Sequence, residues 1–244
     1  MSERLVLEAR GLRKSFKGSL AVDGIDLTVA PGERVALLGA NGAGKTTSLL
    51  MVLGVLLPDE GSVTILGHSL PAARSRAMEG VGFSAGYLPL PDRLRVREVL
   101  RVFADLYGVD DPEGATERGL ARFGISRLAD EMANELSSGQ RTLVGIVKAT
   151  LHGPRFLVLD EPTASLDPDV AHRARTGLEE VCAEEGTALL VTSHNMTEVE
   201  RLCDRIVFLS HGKVVANGGA AEVSEQFGRS NLEEVFLHLA SEEL

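Results

Sequence analysis

The spacing of hydrophobic residues changes character along the chain. Near the start, RLVLEA from Arg4, LAVDGIDLTV from Leu20 and RVALLG from Arg34 read as strands, with turns at 17–19 and at Pro31-Gly32. The third strand runs into a glycine-rich loop, and a helix is expected from Lys45 to a stop before Gly54. From about Val96 the period becomes helical: Val99, Leu100, Phe103, Leu106 and Tyr107 recur before Gly108. Further helices are predicted over 116–123, stopped by Gly124, over 127–135, and after Ser138, where Leu143, Ile146, Val147 and Leu151 share a face before Gly153-Pro154. Continuous apolar runs return in FLVL and ALLVT, separated by a helix over 170–185, as expected of parallel strands covered on both sides. RIVFLS and KVVANG flank a His211-Gly212 turn and predict a hairpin, and NLEEVFLHLA predicts a short terminal amphipathic helix.

This order predicts one α/β domain over 1–244. Its core is expected over 1–86 and 154–225, an inserted helical subdomain over 87–153 and a helical tail over 226–244. With 244 residues the chain can bury a substantial core. A net charge of −10 gives no basic footprint, so nucleic acid is not expected as a partner. Cys182 and Cys203 both fall in expected helices and read as small buried hydrophobes rather than a disulfide, which suits a reducing compartment. No stretch approaches the roughly 20 apolar residues that cross a bilayer, and MSERLVLEAR lacks a secretory apolar segment. A cytoplasmic location is expected, with any membrane contact supplied by a partner.

The glycine-rich loop carries the first chemistry. Gly39, Gly44, Lys45 and Thr46 satisfy G-x-x-x-x-G-K-[ST], with Ala40, Asn41, Gly42 and Ala43 between them and Thr47 after, in the strand–loop–helix setting that the pattern requires. Its N–H groups and helix dipole can hold phosphate oxygens, Lys45 can neutralise the β and γ phosphates, and the Thr46 hydroxyl can sit on Mg²⁺. A glycine-rich turn with an incidental lysine is the plainer alternative. In FLVLDE, Asp160 falls at the carboxyl end of a strand, where open α/β sheets bind ligands; it can hold Mg²⁺ through water while Glu161 reaches an attacking water. Two acids that merely end a strand are the alternative there. Together these elements point to a nucleoside triphosphate. A second helix start suited to an anion stands at Ser137, Ser138 and Gly139, although a serine N-cap alone explains one of those serines.

With the P-loop at Gly39, LSSGQ at Leu136, LVLDE ending at Glu161, SLD at Ser165 and TSHN containing His194, the chain resembles the ATPase subunit of ATP-binding cassette (ABC) transporters over nearly its whole length. Five motifs in the family's order carry this; each short piece alone is weak. The resemblance implies the ABC ATPase fold: a P-loop core, an N-terminal antiparallel β subdomain and an inserted helical one. It implies ATP and Mg²⁺ as cofactors, with Thr46 and Asp160 toward the metal. Phe16 matches the aromatic that stacks on adenine and Val22 an apolar contact to the nucleoside, although Phe16 fits a core aromatic equally well. Glu161 matches the residue that polarises water and His194 the one that contacts the γ phosphate; read alone, His194 would be a helix-capping residue. In the family two subunits meet head to tail, so that Ser137, Ser138, Gly139 and Gln140 of one close over ATP held by the other, with Asp167 at the contact. A homodimer on ATP and a separate membrane-spanning permease subunit are therefore implied, with the chain peripheral on the cytoplasmic face of the membrane.

One position departs from the family. The glutamine expected after VGFSA is Gly86, and the chain's glutamines, Gln140 and Gln226, lie elsewhere. Next to it, YLPLP is too broken by proline for a helix or central strand, and Leu88 and Leu90 could receive a helix of the permease or pack beneath the helical block. GRSNLEEVFLHLA resembles the tail of exporter-type ATPases of the drug and multidrug group. A soluble cassette acting in DNA repair or translation is the rival reading; it usually carries paired cassettes or coiled-coil insertions. A generic P-loop kinase or GTPase would not need LSSGQ.

Overall fold

The computed structural model describes residues 5–86, 88–163 and 166–241. Strands β1 (Leu7–Phe16), β2 (Ser19–Val29), β4 (Glu60–Ile65) and β5 (His68–Ser69) form an antiparallel sheet in the order β2-β1-β4-β5. Strands β3 (Arg34–Leu38), β6 (Val81–Ala85), β7 (Phe156–Asp160), β8 (Ala188–Thr192), β9 (Arg205–Ser210) and β10 (Lys213–Gly218) form a second sheet in the order β10-β9-β3-β8-β7-β6. All of its pairings are parallel except the β9–β10 hairpin. Both residues of that hairpin turn, His211 and Gly212, have positive φ, as a type I′ turn requires.

The period of two explains how the parallel sheet is covered. Val35 and Leu37 of β3, Phe156 and Val158 of β7, and Leu190 of β8 join a core shared with the antiparallel sheet and helix α1 (Lys45–Val52). Their neighbours Ala36, Leu38, Leu157, Leu159, Leu189 and Val191 face the other way, into a core built with helices. Those helices are α3 (Val96–Leu106), α4 (Pro112–Arg122), α5 (Ser138–Thr150), α6 (Pro168–Glu185), α7 (Met196–Leu202), α8 (Ala220–Gln226) and α9 (Leu232–Ser241); a short α2 (Arg74–Met78) precedes β6. Strands buried on both faces are why FLVL and ALLVT carry no polar alternation.

The helix expected over 127–135 does not form. Two short 3-10 turns, Ser126–Leu128 and Ala133–Glu135, take its place. The backbone between them pairs with the start of α3 instead: Val96 N–H donates to the Glu131 carbonyl and Arg97 N–H to that of Ala129, both at 3.0 Å, and Ala133 N–H donates to Leu94 at 2.9 Å. Satisfying the orphan donors of α3 outweighs the local helical pattern. The helix expected over 116–123 begins earlier, at Pro112, because Asp111 caps it by accepting from Gly114 N–H at 2.9 Å. Arg4 and Ser165 lie outside the described residues. Leu90 is buried in the helical core and Leu88 is half-buried, so of the pair in YLPLP only Leu88 keeps surface. Cys182 and Cys203 are free thiols. No helix among the described residues is long and apolar enough to cross a membrane.

Candidate functional site

The carboxyl ends of β3, β6 and β7 open onto a cavity of about 970 Å³. One wall is the P-loop, contributing Asn41, Gly42, Gly44, Lys45, Thr46 and Thr47; Asp160 and Glu161 stand at the end of β7, and Ala21 lies at one rim. The loop depends on its glycines. Gly44, with φ of 101°, cannot carry a side chain because a Cβ there would lie 2.6 Å from the Ala21 carbonyl oxygen. At Gly39 a Cβ would collide with the Leu209 carbonyl oxygen. The Lys45 ammonium donates to the carbonyls of Gly39, at 2.6 Å, and Ala40, at 3.0 Å. It is thus folded back along the loop, and Ala43 is buried in the core shared with the antiparallel sheet.

The acids are held by the neighbouring strand. Parallel pairing sets Asp160 of β7 opposite Thr192 of β8. The Thr192 hydroxyl donates to Asp160 Oδ1 at 2.6 Å and accepts from Glu161 N–H at 3.0 Å. His194, two residues on, shares a hydrogen bond between Nδ1 and Glu161 Oε2 at 2.7 Å. Glu161 has φ of 52°, a left-handed conformation uncommon for a residue with a side chain, so its carboxylate is aimed by a backbone turn at the strand end. Asp160 is buried, whereas His194 is exposed.

The opposite wall comes from the same chain. Gly86, Ser138, Arg141 and Thr142 line the cavity together with the P-loop. Ser137 caps α5: its hydroxyl accepts from Gln140 N–H at 3.2 Å, and Gln140 Oε1 accepts from Ser137 N–H at 2.9 Å. This reciprocal box commits Gln140 to the helix, while the Ser137 hydroxyl keeps its proton to donate. Ser137 and Ser138 are exposed, and Gly139 is half-buried.

Other expected residues lie apart from the cavity walls. The Val22 side chain is fully buried in the core under the P-loop, and its neighbour Ala21 takes the position facing the cavity. Phe16 is 46% exposed, with Lys14 Nζ 5.9 Å from the centre of its ring. Asp167 occupies the exposed N-cap position of α6. Thr192 and Arg141 were not singled out from sequence. A signal for Thr192 exists: FLVLD and ALLVT each end four apolar residues on a polar one, and aligning the two strands sets Thr192 beside Asp160. Arg141 has no such signal, since only the packing of α5 brings it to the cavity.

The chain matches the ABC transporter family over residues 22–164. Among curated relatives, a Nod factor export ATP-binding protein I of Mesorhizobium japonicum is 36% identical over 227 residues, covering 92% of this chain and 66% of the relative's length. A solved structure of an ATP binding subunit of an ABC transporter superposes with a TM-score of 0.86 at 30% identity, covering 96% of this chain and 99% of that one. The structure of cbiO1 from Clostridium perfringens, part of the ABC transporter complex cbiONQ, gives a TM-score of 0.82 at 27% identity, with 92% of each chain covered. A P-loop facing two strand-end acids is a nucleotide site, and the family match spans it. The chain belongs to the ABC transporter family, as one of its ATP-hydrolysing subunits.

Proposed function

We propose that the chain binds Mg²⁺-ATP between the P-loop and the ends of β7 and β8, and hydrolyses it to drive export through a separate membrane-spanning subunit. The observation that carries this is the convergence of Lys45, Thr46, Asp160 and Glu161 on one cavity, with His194 bonded to Glu161 at 2.7 Å. The P-loop amides and Lys45 take the β and γ phosphates. Lys45 is already bonded to two loop carbonyls, so it changes partners rather than being ordered anew.

The donors fit magnesium. It favours hard oxygen ligands and binds through one or two side chains, the nucleotide's phosphates and water, and the Thr46 hydroxyl and Asp160 carboxylate are such ligands on one cavity. With Oδ1 of Asp160 held by Thr192, Oδ2 is the oxygen left for the cation. When bound, the ion neutralises charge on the phosphates. Glu161 is the general base: its carboxylate takes a proton from the water that attacks the γ phosphorus, and the bond to the β–γ bridging oxygen breaks. His194 orients that carboxylate through its Nδ1 hydrogen bond and can stabilise the transferred phosphoryl group.

A second copy of the chain supplies its exposed α5 start to this site in the preferred reading, which is supported by the donor left on Ser137. Ser138, Arg141 and Thr142 already border the cavity in cis, so a site closed within one chain is the second reading. Export is favoured by the likeness to the Nod factor export protein and by the terminal segment that ends in α9, and a permease by the likeness to cbiO1.

Glu161→Gln tests the mechanism. It keeps the shape of the side chain and removes the base, so hydrolysis should fall by about 10²-fold or more while ATP still binds and ATP-dependent dimers accumulate. Full turnover by this variant, followed by phosphate release, would reject the role given to Glu161.

A further inference from the structure

Thr192 is fully buried at the end of β8 and touches both acids of the site. A threonine at the end of an ordinary strand would satisfy its hydroxyl on a backbone carbonyl. Here the proton goes to the Asp160 carboxylate at 2.6 Å, and the lone pair receives the Glu161 amide at 3.0 Å. The same amide also reaches the Thr192 carbonyl at 3.2 Å, so one residue grips Glu161 N–H twice. That grip falls where the backbone is strained, at φ of 52° for Glu161. A left-handed conformation is costly for a residue with a side chain and persists where surrounding contacts over-determine it.

Two residues further on, His194 holds the other end of Glu161 through Oε2 at 2.7 Å. The exit of β8 thus clamps the residue at its amide and at its carboxylate. We propose that Thr192 is a positioning residue of the hydrolytic site: its hydroxyl fixes the Asp160 carboxylate relative to the Glu161 turn, so that the carboxylate on the cation side and the one on the water side keep a set offset. This rests on the reading of Asp160 and Glu161 given above. Small displacements of such groups are expensive for a reaction that depends on positioning, because the nucleotide and the attacking water must be presented in line.

The test compares wild type, Thr192→Val and Thr192→Ser in the full chain. Valine keeps the β-branched shape and strand preference while deleting the hydroxyl, and serine keeps the hydroxyl while deleting the methyl group. For T192V, kcat should fall about tenfold or more, and KM for Mg²⁺-ATP should rise as the metal's contribution to binding is lost. The gain in ATP affinity on adding Mg²⁺, read by equilibrium binding, should shrink by a similar factor to kcat. T192S should recover to within about threefold of wild type in both measurements. A T192V enzyme within about twofold of wild type overturns the inference, as does a T192S enzyme as impaired as T192V, since shape would then be what matters. Should T192V not fold, Thr192→Cys carries the same comparison, its thiol being a weak donor. Glu161→Gln in parallel separates the two claims: an active E161Q rejects the reading of the site, whereas an inactive E161Q beside an active T192V rejects Thr192 alone.

Discussion

At Gly86 the wall facing the P-loop has no side chain, and the surrounding space is open: a Cβ there would have the Glu161 carbonyl oxygen, at 3.9 Å, as its nearest neighbour. Its φ is not in the left-handed region, so a Cβ there meets neither a clash nor a strained backbone. Gly86→Gln should therefore leave thermal stability within about 0.5 kcal/mol of wild type. An added amide beside Asp160 and Glu161 should raise the hydrolysis rate by about twofold or more, read by phosphate release and by transport with the permease. Unchanged rates would show that this wall works without the amide. At this scale the sequence was uneven as a guide. The lysine, threonine and two acids could be named because their spacing is dictated by a loop and a strand end. Val22 and Phe16 could not be placed, because a one-residue choice of facing decides whether Ala21 or Val22 meets the cavity, and the strand pattern near the turn does not fix it.

Between elements, the packing of α3 against α5 buries Lys148, and just beyond α5 the half-buried His152 ring meets Tyr107. Lys148 Nζ lies 4.8 Å from the centre of the Phe103 ring, and His152 stacks on Tyr107 with ring centres 4.4 Å apart. A cation over a ring recovers part of the cost of leaving water. Burial nevertheless pushes the Lys148 ammonium below its usual range and pushes His152 below its ordinary value of 6.5, the nearby Val81 backbone offsetting only part of the latter. The sign for His152 follows. The unfolded chain binds this proton more tightly than the folded one, so stability is lost as pH falls through 6.5 toward the lower folded value. His152→Phe keeps the ring and removes the titration, so its unfolding free energy should decline less than wild type between about pH 7 and 5.5, measured by urea denaturation. Parallel declines would contradict it. Helix periodicity made α3 and α5 legible, since their apolar residues face one core. It misled over 127–135, where the chain gives its carbonyls to the start of α3, a pairing that no local window contains.

For the whole molecule, order along the chain was the most informative feature. Apolar runs between helices fixed a parallel sheet, and the alternating membership of β3, β7 and β8 in two cores shows how that sheet is covered on both faces. What the sequence left open is which wall of the nucleotide cavity comes from which molecule. LSSGQ read as the missing half of a partner's site, yet Ser138, Arg141 and Thr142 border the cavity of their own chain. In the proposed two-fold pair, each ATP site uses the P-loop of one copy and the α5 start of the other. Mixing two dead variants tests that directly. Lys45→Ala removes the phosphate lysine, and Ser137→Arg blocks the α5 start while leaving the P-loop intact; each should lack hydrolysis alone, and S137R should still bind ATP as a monomer. In an equimolar mixture, a mixed pair places the intact P-loop of one variant against the intact α5 start of the other, so hydrolysis should reappear at up to about a quarter of the wild-type rate. A mixture as inactive as its two components, with mixed pairs shown to form, would contradict the shared site and leave the cavity to a single chain.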